Sequence, residues 1–141
     1  APDAYAAAMS EQLRRLVATV RRERPPERIA LRDPATGAMT FVSSCEVVWV
    51  SAAGNGQVIL HGRDEDRPWS RGIESAHVEL APLGFVRVQR TILVHPNHIQ
   101  RVQRLGKGEF RLTMTGGAEI DTGRAFTSVI EDVLAAMPGA R

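Results

Sequence analysis

Between Ala81 and Gly108 the chain holds Arg87, Arg90, Arg101, Arg104 and Lys107 and no carboxylate. A solvated face ordinarily mixes both signs, so a one-signed run that also carries amides points to an anionic partner. Its densest part is Phe85-Val86-Arg87-Val88-Gln89-Arg90-Thr91-Ile92-Leu93-Val94-His95-Pro96-Asn97-His98-Ile99, where two guanidinium groups, an amide and a hydroxyl fall within five residues. The chemistry open to that set is recognition. An arginine presents two parallel N–H donors that fit guanine O6 and N7 or a phosphate, so arginine identity alone does not separate base readout from backbone anchoring. Gln89 and Thr91 supply donors and acceptors beside it.

Other chemistries find no pattern. His61, His77, His95 and His98 form neither an H-E-x-x-H nor an H-x-x-E-H helix, and the single Cys45 provides neither a disulfide nor a cysteine-rich metal site. There is no G-x-S-x-G, no Walker loop and no G-x-G-x-x-G. The expectation is therefore no catalytic residue, no metal and no cofactor. Cys45 reads as a small core or edge residue. The formal charge is only +2, so anion binding must come from the distribution of charge. Arginine outnumbers lysine 17 to 1, which enriches the groups capable of bidentate contacts. No run reaches the roughly 18 apolar residues of a membrane span, and no signal-peptide order opens the chain, so a cytoplasmic location is expected.

The elements that must position the basic run are mostly short strands. Phe85, Val86, Val88, Ile92 and Val94 alternate with polar residues, as in a strand with one buried and one polar face. Strands are also expected at 28–32, 39–42, 47–50, 58–61, 101–105, 110–114 and 118–120, with turns at 33–37, 53–56, 106–108 and 115–117. The charged stretch Gly62–Trp69 reads as a loop. Ile73–Leu80 reads as a short helix with Ile73, Ala76, His77 and Leu80 on one face. A last helix places Phe126, Val129, Ile130, Val133, Leu134 and Met137 together and stops at Pro138-Gly139. Residues 3–22 read as an amphipathic helix closed by Pro25-Pro26. The pattern predicts a mainly β, α+β antiparallel domain over residues 27–141, preceded by a helix and linker over 1–26.

The run F-V-R-V-Q-R-T-I-L-V-H-P-N-H-I resembles the signature F-x-R-x-H-R-S-y-x-V-N-x-x-x-I of the LytTR DNA-binding domain. Phe85, Arg87, Arg90, Val94 and Ile99 match it; Gln89, Thr91 and His95 replace the usual His, Ser and Asn. Glu46, Val47, Val50, Ala52, Gly54 and Asn55 resemble an earlier family segment, and Ile120, Arg124 and Phe126 resemble the closing one. The resemblance spans roughly residues 28–130. It implies an elongated, multi-stranded β domain whose loops enter successive major grooves of promoter DNA. Asn55, Arg90 and Arg124 stand at positions that contact DNA in the family, and Arg71 resembles a basic position before its short helix. With Arg87, Gln89 and Thr91 these make the expected DNA-binding set. Asn55 either reads adenine or simply forms its turn. Arg124 could hold a phosphate where a helix begins. The implied partner is double-stranded DNA carrying repeats; the few base pairs one such domain can contact add the expectation of a homodimer on DNA, with an upstream sensor domain if the chain is a fragment. The competing expectation is a β-rich sensory or scaffolding domain that offers its basic strand to a protein.

Overall fold

The computed structural model describes residues 10–13 and 27–139. Of the helix expected over residues 3–22, only 10–13 lie among the described residues, and these are helical.

Ten strands follow: β1 (Arg28–Arg32), β2 (Met39–Ser43), β3 (Val47–Gly54), β4 (Gln57–Gly62), β5 (Asp66–Trp69), β6 (Val86–Gln89), β7 (Ile92–Val94), β8 (Ile99–Arg104), β9 (Phe110–Met114) and β10 (Glu119–Asp121). Two α-helices join them, α1 (Ile73–Leu80) and α2 (Thr127–Ala135). All strand pairs are antiparallel. The central sheet has the order β5-β4-β3-β7-β6; β10-β9-β8 form a second sheet and β1-β2 a hairpin.

The central sheet has a core on each face because its strands alternate apolar residues to both sides. Val47, Val50, Val58, Leu60 and Leu93 pack under α1 and the β1–β2 hairpin with Ala76, Leu80, Ile29 and Leu31. Val48, Val88 and Val94 pack on the other side against Phe110, Leu112, Met114 and Ile120 of the second sheet and Ile130 of α2. A β-bulge between Val47 and Trp49 shifts that alternation, so Val47 and Val50, three apart, join the same core while Val48 and Trp49 join the other.

Two expectations change. The stretch Gly62–Trp69 contains a strand, β5, despite Pro68. β5 lies at the sheet edge, where a proline is tolerated because its missing N–H can face away from the neighbouring strand. The basic stretch is not one strand: Arg90 and Thr91 form a two-residue turn between β6 and β7, with a bulge between Arg87 and Gln89. The polar triplet Gln89-Arg90-Thr91, which interrupts the alternation, marks that reversal.

The sheet has two chemically different ends. β3 ends at Gly54 where β4 begins, and Ser51 faces Ile92, so the 54–57 and 90–91 turns share one end. Trp69, opposite Val58, closes β5 at that same end. At the far end Glu46, Asp64, Glu65 and Asp66 gather around the start of β3 and the β4–β5 turn, with Arg67 paired to Glu65.

Candidate nucleic-acid interface

Across the first end the loops stand in a row set by strand order. Arg71 follows β5, Asn55 sits between β3 and β4, and Arg90 and Thr91 sit between β7 and β6. Arg124 comes last, because Gly123 donates its N–H to Val88 O at 2.9 Å and so lays its segment against β6. Neighbouring hairpin turns in such a row are roughly 10 Å apart, two inter-strand spacings.

Asn55 has φ 56° and Gly56 φ 70°, the left-handed pair that a two-residue hairpin turn requires. Asn55 is thus a turn former, and its side chain is exposed. Arg90 is exposed at its turn, and its guanidinium has no hydrogen-bond or ion-pair partner among the described residues. Thr91 is also exposed, while its carbonyl accepts from Ala52 N at 2.9 Å and ties the turn to β3. Arg124 donates from Nε to Glu109 at 3.1 Å, and its side chain is otherwise exposed. Arg71 lies over the Trp69 ring at 5.5 Å and donates to Glu79 at 2.8 Å and to Ser70 O at 3.1 Å.

Arg87 and Gln89 turn inward. Arg87 meets Glu74 of α1 with two parallel bonds of 2.9 Å, and donates to the carbonyls of Gln89, at 3.3 Å, and Arg90. Those bonds and the guanidinium charge hold the Glu74 carboxyl below the usual carboxylate range. Gln89 donates its side-chain amide to the Asp121 carbonyl of β10. Strand alternation shows that both side chains leave the core and not which neighbours they meet, so these intrachain partners were not legible in the sequence.

Lys107 was outside the expected set yet belongs to the row. It occupies a left-handed conformation, φ 65°, between Gly106 and Gly108. That loop is docked beside Arg124 by Glu109 and by Thr127, which donates to Gly108 O at 2.6 Å. The signal for it was the carboxylate-free run it closes. Thr122 is buried and accepts from Phe110 N at 3.0 Å, fixing the approach to Arg124.

One arrangement has the order of a nucleophile, base and acid. Ser51 Oγ lies 2.8 Å from His61 Nε2, and His61 Nδ1 lies 3.3 Å from Asp66 Oδ1. Ser51 stands within β3 between β4 and β7, where amides belong to the sheet ladder instead of an oxyanion hole. The trio joins three strands. Among the described residues no group of three or more His, Cys, Asp and Glu side chains could hold a metal ion, and no helix is long and apolar enough to cross a membrane.

Fold and row together define a mainly β domain that presents basic and amide side chains on loops at one sheet end. The LytTr DNA-binding domain model matches residues 37–135, and the chain belongs to that family. A solved LytTr DNA-binding domain from Bacillus cereus has the same fold, with a TM-score of 0.65 at 18% identity, covering 77% of this chain and 96% of that one. No curated protein matches the chain. Family membership supports DNA binding by a regulator; it is a binding family, not a catalytic one.

Proposed function

We propose that this chain is a sequence-specific transcriptional regulator of the cytoplasm that reads duplex DNA with the loops of one sheet end. The observation that carries this is the convergence of Asn55, Arg90, Thr91 and Arg124 on that end, with Arg90 unpaired among the described residues. The Asn55 and Arg90 turns, roughly 10 Å apart by strand spacing, fit within one major groove about 12 Å wide. Arg90 takes a guanine edge there and Asn55 an adenine edge. Thr91 and the outer members of the row, Arg71, Lys107 and Arg124, anchor phosphates bordering the groove.

Residues 27–141 form the DNA-binding unit, and the chain acts as a homodimer on repeated half-sites, because one domain of this size contacts few base pairs. Residues 1–26, with the apolar stripe of Tyr5, Met9, Leu13, Leu16, Val17 and Val20, supply the pairing element. Deleting residues 1–24 should abolish cooperative protection of paired half-sites; equal cooperativity would remove that role.

The test of DNA binding is selection of preferred duplexes from a random pool, followed by affinity across a salt series. Steep loss with salt is expected from counterion release. Salt-insensitive binding, or recovery of no preferred duplex, would favour the protein-partner alternative.

A further inference from the structure

A single guanidinium group links α1 to the turn that carries Arg90. Arg87 is only 15% exposed, whereas its partner Glu74 is 78% exposed on the first turn of α1. The fork of Arg87 meets both oxygens of Glu74 on one side, and the carbonyls of Gln89 and Arg90 on the other. Those carbonyls are the last of β6 and the first of the turn, just beyond the bulge that lets the strand end curl. Gln89 braces the same strand end from the opposite side through Asp121 O. The turn is therefore gripped from a helix and from a second sheet, while the Arg90 and Thr91 side chains are left outward.

We propose that Arg87 and Glu74 are a positioning pair that sets the direction of the Arg90–Thr91 turn, so that selective DNA binding requires an acid on α1. This rests on the DNA-binding function above. Charge alone argues the reverse, since removing a carboxylate beside a polyanion should raise affinity for every sequence. An orienting role predicts a loss confined to the preferred sequence. A base contact discriminates between sequences only when its donors are aimed correctly, whereas phosphate attraction tolerates misalignment. The fork is what matters: lysine keeps the charge of Arg87 but cannot hold two carboxylate oxygens and two carbonyls in one plane.

The experiment compares the full chain with its Glu74→Gln, Arg87→Lys and Arg90→Ala variants, each tested on a duplex recovered by selection and on a scrambled duplex of equal length. Glu74→Gln alters an exposed residue, which keeps the test valid if Arg87→Lys fails to fold. Both positioning variants should lower the ratio of selected to scrambled affinity by about tenfold, the scale of one base contact. Scrambled affinity should stay level or rise. A variant combining Glu74→Gln with Arg87→Lys should lose little more than either single one, because the two residues act through one contact. An unchanged ratio in Glu74→Gln, with affinity rising equally on both duplexes, would overturn the pairing role. So would retained specificity in Arg87→Lys, which would make Arg87 a simple cationic anchor. If Arg90→Ala lowers the ratio while Glu74→Gln does not, the DNA-reading function stands and the positioning pair fails. If no duplex is preferred at all, both fail.

Discussion

Gly123 N–H and Val88 O, 2.9 Å apart, join the segment leading to Arg124 to the strand leading to Arg90. Val88 lies in the central sheet and Gly123 just beyond β10 of the second, thirty-five positions apart in sequence. The bond sets the last loop of the row beside the third, and Gln89 repeats the connection through Asp121 O. Arginines that are distant in the chain thereby share one surface while differing in what holds them, so each should respond differently to substitution.

Arg90→Ala should cost binding to a selected site about 1–3 kcal/mol and blur the preference at one base position. Its guanidinium has no other hydrogen-bond or ion-pair partner among the described residues, so thermal stability should hardly change. Titration of the variant against selected and scrambled duplexes measures both. Equal losses on the two would make it a backbone anchor.

Arg101 is exposed midway along β8, away from the row. Arg101→Ala should weaken all sequences alike or none, and flatten the dependence of log affinity on log salt by at most about one phosphate. A loss restricted to the selected duplex would place β8 in base readout.

His95 gives the fold an acid sensitivity. Its Nδ1 accepts from Asn97 N at 3.1 Å and its Nε2 meets Leu83 O at 3.1 Å, an arrangement that suits the neutral ring. Burial, opposed by the Leu83 carbonyl and aided by nearby His98, holds its pKa below the ordinary imidazole value of 6.5. A depressed folded value means the unfolded chain binds the proton more readily. The stabilisation is therefore complete above pH 6.5 and is lost as pH falls through the lower folded value. Melting temperatures of the wild type should drop on acidification below this point, and those of His95→Asn should drop less. Parallel curves would contradict the assignment.

Cys45 is an exposed free thiol 3.2 Å from the Ser43 hydroxyl. Cys45→Ser should change unfolding free energy by no more than about 0.5 kcal/mol, as for other surface substitutions, and leave DNA affinity intact. Equilibrium denaturation and the binding titration decide it, and a loss of affinity in Cys45→Ser would show that the thiol matters to binding.

Much of this fold is written in local pattern. Ile73, Ala76, His77 and Leu80 do form the packed face of α1, and the glycine turns do separate the strands of the second sheet. What local pattern lacks is the identity of distant neighbours. Arg87 meets Glu74 thirteen residues away, and no periodicity distinguishes an arginine that grips a carboxylate from one that stays open like Arg90. The charges of Gly62–Trp69 misled for a related reason, since an edge strand becomes one only once the order of the sheet is known. The two roles open for Asn55 were never exclusive: its backbone makes the turn, and that geometry is what leaves its side chain outward.

The acids at the far end of the central sheet have a kinetic consequence. With a formal charge of +2 the whole chain is drawn only weakly to a polyanion. Yet Asp64, Glu65 and Asp66 outnumber Arg63 and Arg67 at one end, and Arg71, Arg90 and Arg124 stand at the other, so on the proposed interface an approaching duplex should exert a torque as well as a pull. On the proposed interface this separation of charge along the sheet should speed the encounter, and added salt should slow association by screening it.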